Sequence, residues 1–273
     1  MNLRLTFSFS LFFIIIITSF IVLNDRHNNW AWDILKTENQ TYQKNNLKVA
    51  ILDSGIKNKR INDEYVVKRY DAIKNNNQFV TSSNHGSQVA SIISYGKSSN
   101  TLIGVNKNVD IYDVKVLDDN LVGTPEDIAR GIEWCIKYDV NIINMSFGIQ
   151  KYDPDLHKII KKANDKGIIL VGAAGNNLDN NSDFPARFKE VYSITAIDKD
   201  KQVFLYSPNK NIDFRAPGVD VYTLNGEDKI VKDSGSSFSA AYFTSYLIAN
   251  VDSTKNFIDT IKNYPLKYKE NET

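Results

Sequence analysis

Four polar residues stand where a chain of alternating strands and helices could carry out acyl transfer. Asp53 closes the apolar run Val49-Ala50-Ile51-Leu52 and is followed by Ser54-Gly55. His85-Gly86 opens a helical pattern after a polar loop, and Asn176 follows Val171-Gly172-Ala173-Ala174-Gly175. Ser237 lies in Gly235-Ser236-Ser237-Phe238-Ser239-Ala240, a small-residue turn that leads into a helix. An acid, a base, a hydroxyl and an amide donor are the parts that serine acyl transfer requires. Each also has a plainer use. Asp53-Ser54-Gly55 and Asn176-Asn177 suit turns, Ser236 or Ser237 suits a helix cap, and His85 suits a loop. Singly the plainer uses prevail; jointly, with the flanking sequence described below, the chemistry does.

The elements that must position these groups follow from the hydrophobic pattern. Short β-branched runs at residues 47–53, 111–117, 140–147, 168–175, 191–197 and 212–216 read as strands. Helical spacing marks residues 86–94, 125–138 and 155–165, with a further helix from 237 to about 249. Alternation of this kind predicts an α/β fold, a doubly wound and mostly parallel sheet with helices on both faces. Ligands of such sheets bind at the carboxyl ends of the strands, where the four residues fall. The helix at 125 is marked by Thr124 as cap, Pro125 at its first position and Asp127 as a capping-box acid. Ile128, Ile132, Cys135 and Ile136 share one of its faces, which makes Cys135 a core residue. The polar stretches at 57–62 and 74–78 read as surface loops.

Composition narrows the function classes. With 273 residues, 42% hydrophobic and 24% charged, the chain is not disordered. Lys and Arg total 33 against 32 Asp and Glu, so no excess of positive charge invites nucleic acid. A single cysteine excludes an internal disulfide and a thiolate metal cage, and only three histidines are present. Of these, His27 adjoins the N-terminal apolar run and His157 sits in the polar start of a helix, so both are read as outside the site. Residues 5–23 carry no charge, are long enough to span hydrocarbon and lack a small-residue cleavage site. This favours an uncleaved, single-pass anchor (residues 1–28) with the remaining domain (29–273) outside the cell; a cleaved signal and a secreted domain are the alternative.

The blocks Val49-Ala50-Ile51-Leu52-Asp53-Ser54-Gly55-Ile56, Asn84-His85-Gly86-Ser87-Gln88-Val89-Ala90 and Gly235-Ser236-Ser237-Phe238-Ser239-Ala240-Ala241 resemble the three signature blocks of the subtilisin-like serine proteases. The order Asp, His, Ser is the order of that family. Gly131-Ile132-Glu133-Trp134, Asn144-Met145-Ser146-Phe147-Gly148 and Ala173-Ala174-Gly175-Asn176 resemble lesser family blocks. The resemblance implies a serine endopeptidase, acting as a monomer on a peptide or protein, with no nucleic acid partner and no cofactor. It implies Ser237 as nucleophile, His85 as general base, Asp53 as the carboxylate that orients it, and Asn176 as oxyanion donor. Ser146-Phe147-Gly148 and Leu121-Val122-Gly123 resemble the segments that flank an extended substrate. Asp183 resembles a residue on the floor of the pocket for the side chain before the scissile bond. A carboxylate there would select Arg or Lys.

The chain also departs from the family pattern. The stretch from Asn24 to Leu52 leaves no room for a domain-sized propeptide, Ala241 stands where a proline is usual, and the end after Ser237 looks trimmed. A small anchored form of this kind resembles the proteases that process bacterial leader peptides. The loop around Tyr95-Gly96-Lys97-Ser98 matches the family's calcium loop in length, but Lys97 places a cation where oxygen ligands are needed. The rival readings are an inactive, protease-shaped binding or immunity protein and a nucleotide-binding protein. Gly96-Lys97-Ser98 lacks the first glycine of a phosphate loop and follows a helix, which disfavours the second.

Overall fold

The apolar runs fold as their β-branched content dictates. The structure, a computed structural model, describes residues 29–37, 47–98, 100–178, 180–251 and 256–268. The N-terminal apolar run lies outside the described residues, among which no helix is long and apolar enough to cross a membrane. The chain forms α1 (Trp30–Leu35), β1 (Leu47–Asp53), α2 (Lys59–Tyr65), β2 (Val66–Asp71), α3 (His85–Ile93), β3 (Tyr95–Ser98), β4 (Thr101–Val105) and β5 (Val109–Lys115). It continues with α4 (Pro125–Lys137), β6 (Ile142–Met145), α5 (Pro154–Asp165), β7 (Ile169–Ala173), β8 (Tyr192–Ile197) and β9 (Phe214–Pro217). Last come β10 (Val221–Leu224), β11 (Ile230–Asp233), α6 (Ser236–Asn250) and α7 (Phe257–Lys262).

Seven strands form one sheet in the order β2-β5-β1-β6-β7-β8-β9. All six pairings are parallel. The α/β class read from the sequence is the class observed. β1 shows why both faces must be covered. Val49 and Ile51 enter one core with α3 and α6, while Ala50 and Leu52 enter the other with α4 and α5. Strand period two sends alternate residues to opposite faces, and each fully buried aliphatic side chain contributes about 1.5–3 kcal/mol. The order β5-β1-β6 sets Asp53 at the centre of the carboxyl edge, with the loops after β5 and β6 on either side.

Helix starts follow local chemistry. The Thr124 hydroxyl accepts from Asp127 N at 3.1 Å, with Pro125 in the first turn. The Asp153 side chain caps α5 through Leu156 N at 2.7 Å. By contrast α6 has no amphipathic stripe: every residue from Ser236 to Ile248 is buried. Its small Ser and Ala residues let it pass against β7, β8 and β9.

Two expectations change. Residues 57–62, read as a surface loop, contain the start of α2, because Asn58 Oδ1 accepts from Ile61 N at 3.0 Å and caps it. β2 follows immediately and was masked by its own polarity, since Lys68 and Arg69 interrupt the apolar pattern of an edge strand. Cys135 is 0% exposed in the α4 core, and burial pushes its thiol pKa far up. The native protein should therefore resist thiol reagents that label it quantitatively once it is unfolded. Cys135→Ser should lower stability by about 1–3 kcal/mol, read from denaturant midpoints, because it buries an unpaired hydroxyl.

Candidate active site

A carboxylate at the end of a buried strand must be satisfied by hydrogen bonds or counter-charge. Asp53, 1% exposed, meets this with its own turn and with His85. Its Oδ1 accepts from Ser54 N at 2.7 Å and from Ser54 Oγ at 3.1 Å. His85 Nδ1 lies 2.8 and 3.0 Å from the two carboxylate oxygens. A carboxylate on Nδ1 keeps the ring hydrogen there and leaves Nε2 as the acceptor. Burial pulls the imidazole pKa down, but the charge and hydrogen bond of Asp53, with the charge of Asp233, outweigh this and raise it.

His85 is the first residue of α3, and the helix can start there only because glycines meet. A Cβ on Gly86 would fall 2.5 Å from Gly55 O. Gly86 N also approaches Ser54 Oγ at 3.4 Å. The turn leaving Asp53 is thus the surface on which the His85 helix rests.

Ser237 lies in the first turn of α6, where backbone N–H groups have no partner within the helix. Gly235 precedes it at φ +155°, and a Cβ there would come 3.1 Å from Asn176 Nδ2. Asn176 Oδ1 accepts from Ser236 N at 2.9 Å, which orients its amide NH2 group toward this turn. Phe238, next after the serine, sets its ring 5.8 Å from that of His85. The Ser237 hydroxyl donates to Ser146 O at 2.8 Å, not to His85. Rotation about its Cα–Cβ bond is needed before it can engage an imidazole. A polar chain supports this arrangement. Thr244 Oγ1 donates to Asn144 Oδ1, Asn144 Nδ2 to Ser146 Oγ, and Ser146 Oγ to Ser237 O, at 2.9, 2.8 and 2.9 Å.

The sequence-derived flanking segments sit on the two loops that border β1. Leu121 and Val122 are exposed at the rim, with Leu121 at φ +63°, and Gly123 follows. Ser146, Phe147 and Gly148 continue β6. Asp183, 7% exposed, is wedged between Gly148 and Gly175. Cβ atoms on those glycines would fall 2.6 and 2.5 Å from its Oδ2. Its Oδ1 accepts from Asn177 Nδ2 at 2.8 Å. The structure therefore joins Asp53 to His85, Asn176 to the Ser237 turn, and Asp183 to the glycines beside Asn176.

Several groups here escaped the sequence reading. Lys115, nearly buried, donates to Ser54 O at 2.9 Å and to Asp119 Oδ1 at 3.1 Å. Gln88, one turn beyond His85, donates to Asp233 Oδ2 at 3.0 Å. Asp113 and Lys115 could have been found as charges spaced two apart in the buried half of β5. His157, read as a peripheral polar residue, stacks on Phe188 at 4.2 Å and meets Glu190 through Nε2 at 3.1 Å. Phe188 in turn packs against Phe184, the residue after Asp183.

The segment resembling a calcium loop is part of the antiparallel hairpin β3–β4. It brings Lys97 and no carboxylate, a donor set that does not suit a hard cation. Among the described residues no three His, Cys, Asp or Glu side chains cluster as a metal site. A surface hollow of about 470 Å³, lined by Ile169, Tyr192 and Asp213 among others, opens at the opposite, amino-terminal edge of β7 and β8. It is remote from Asp53, so chemistry rather than cavity size marks the site.

A carboxylate–imidazole pair on the carboxyl edge of a parallel sheet, with the ring of Phe238 beside that imidazole and Ser237 just before it at a helix start, presents the groups that α/β serine hydrolases use. The subtilase family matches residues 44–257, and the chain belongs to that family. It is 33% identical over 217 residues to the thermostable alkaline protease of Halalkalibacterium halodurans, covering 78% of this chain and 60% of that protein. It is 29% identical to the minor extracellular protease Epr of Bacillus subtilis, covering 70% of this chain and 30% of that protein. With subtilisin DY of Bacillus licheniformis the identity is 30%, covering 76% and 77%. The chain thus spans under two thirds of the length of the first relative and about a third of the second.

The electrostatics can be checked without any substrate. In a histidine C2–H titration followed by NMR, His85 should titrate above about 6.5, the ordinary imidazole value. Asp233→Asn should lower its midpoint by a few tenths of a unit at low salt, and less at high salt, because Asp233 is exposed and screened.

Proposed function

We propose that the protein is a serine endopeptidase in which Ser237, His85 and Asp53 act as one unit. The observation that carries this reading is the two-oxygen contact of Asp53 with His85 Nδ1, with the ring of Phe238, next after Ser237 in the first turn of α6, 5.8 Å from that imidazole. On substrate binding, Ser237 Oγ turns from Ser146 O to His85 Nε2 and attacks the scissile carbonyl as the imidazole takes its proton. Asn176 Nδ2 and the Ser237 N–H hold the resulting oxyanion. The imidazolium, stabilised by Asp53, then protonates the departing amine, and a water repeats the sequence to release the acyl group. The substrate lies as an added strand between Leu121-Val122-Gly123 and Ser146-Phe147-Gly148.

A serine-directed fluorophosphonate should label the wild type at Ser237; an unlabelled protein would instead be an inactive binding protein on a protease scaffold. Ser237→Ala, His85→Ala and Asp53→Asn should each reduce peptide hydrolysis by at least about 10³-fold, and double substitutions should add little. Retention of more than about a tenth of the activity by Ser237→Ala would refute the assignment. Asn176→Ala should cost about 10²–10³-fold in turnover.

Asp183 sets a preference for Arg or Lys before the scissile bond in this reading. Its nearly buried carboxylate, with Oδ2 against two glycines, would meet a guanidinium or ammonium in a desolvated slot. An apolar side chain would bring no charge to that carboxylate and would press against it instead. The preference should be about ten- to a hundredfold, or about 1.5–3 kcal/mol, measured with paired substrates that differ only at this position. Asp183→Gly should abolish it; equal cleavage after Leu and Arg by the wild type would remove Asp183 from specificity.

The domain acts outside the cell in this reading, as the extracellular relative's name suggests, on peptides whose processing a library profile would define. Residues 5–23 serve as its anchor. Fractionation with the membrane supports this, whereas a form in the medium that begins near Asn24 would show a cleaved signal.

A further inference from the structure

Beside the carboxyl edge of β1, two neighbouring strands carry an ion pair, its carboxylate buried and its guanidinium partly exposed, that the proposed mechanism does not use. Arg69 on β2 stands in register with Asp113 on β5, and Asp113 with Ile51 on β1. Side chains in register on parallel strands leave the same face, so Arg69, Asp113 and Asp53 share one. Arg69 Nε and Nη2 donate to Asp113 Oδ2 at 3.0 and 2.9 Å, and Asp113 is 0% exposed.

Both partners also hold one backbone unit. Ile56 N donates to Asp113 Oδ2 at 3.2 Å, and Ile56 O accepts from Arg69 Nη2 at 2.6 Å. The guanidinium lies 4.4 Å from the centre of the Phe79 ring, and that ring covers Gly55, where a Cβ would fall 2.5 Å from it. Gly55 is in turn the backbone on which Gly86 and the start of α3 rest. Desolvating the Asp113 carboxylate offsets much of what its pairing with the partly exposed Arg69 gains. An apolar pair could not hold the N–H and the C=O of Ile56 at once.

We propose that Arg69 and Asp113 are positioning residues, which hold residues 54–56 against the start of α3 and thereby fix the geometry and proton affinity of His85. The effect on turnover rests on the endopeptidase reading; the effect on His85 does not. Burial pushes the Asp113 carboxyl up to about 6, with the Asp53 charge adding to this and the Arg69 guanidinium and Ile56 N–H opposing it. Lys115, on the same strand, is engaged by Ser54 O and Asp119. As pH falls through about 6, protonation of Asp113 loosens the hold on Ile56 while His85 is itself charging. The acid limb of log kcat against pH should therefore be steeper than one proton allows.

The experiment compares the full chain with its Asp113→Asn, Arg69→Met and Arg69→Lys variants. Asp113→Asn weakens the hold on Ile56 and removes a negative charge that acts on Asp53, so the His85 C2–H midpoint should fall by about 0.3–0.6 unit. Per site titrated with fluorophosphonate, kcat should fall about tenfold in Arg69→Met, with KM within twofold. Arg69→Lys, which keeps the charge but not the fork, should be intermediate. In Asp113→Asn the acid limb should relax to a single proton. An unmoved His85 midpoint overturns the proposal. So does normal kcat per titrated site with fewer titratable sites, because that describes a merely structural pair. If Arg69→Met fails to fold, the isosteric Asp113→Asn and the Arg69→Lys variant decide. A wild type that neither labels nor hydrolyses peptides refutes the endopeptidase reading, and the His85 titration still decides this one.

Discussion

The site is organised by the need to keep a negative charge at the end of a strand that is buried on both faces. Asp53 cannot be left to water, and its charge is costly unless each oxygen is engaged. Its own turn supplies two donors and His85 supplies the third. That requirement fixes the turn, the turn fixes where α3 can begin, and the helix start fixes the imidazole. Gly55 and Gly86 are consequences of this chain of contacts, because any side chain at Gly86 would meet the backbone of Gly55.

The opposite side of the cleft obeys a different constraint. α6 penetrates the core with no polar face, so the hydroxyls it carries must find partners inside the protein. Thr244 finds Asn144, Ser239 finds Ala216 O, and Ser237 finds Ser146 O. The nucleophile candidate therefore rests in a satisfied position that it must leave in order to react. One wall is set by a buried charge and the other by buried hydroxyls, and both converge on the carboxyl edge of β1 and β6.

The sequence made the strands and helices legible where their burial was uniform. β1 and α4 stand where periodicity and the Thr124-Pro125 cap put them. The site candidates Asp53, His85, Asn176 and Ser237 were legible because they stand at strand ends and helix starts inside blocks that resemble a known family, and the glycines in those blocks prove to be points of close backbone approach. β2 was not legible. An edge strand needs few apolar residues, and the Arg69 and Lys68 that hid it are there for reasons of charge and exposure. Nor was the partnership of Arg69 with Asp113, since it arises from strand order in space rather than from proximity along the chain. His157 looked peripheral for the same reason: Phe188, the ring it stacks on, comes from a segment some thirty residues away.

The long-range character of α6 has a consequence for timing. The helix that carries Ser237 is bounded by β6, β7, β8 and β9, all of which precede it in the chain, and its own sequence has no amphipathic face to dock by stages. Such a segment gains its burial only when the sheet is already assembled, because non-local contacts reward closure last. Until then the serine is one polar residue in a flexible apolar stretch, far from any imidazole. On the proposed reading a half-made chain is thus chemically silent, and assembly of the core is the event that brings Ser237 to the carboxyl edge of the sheet.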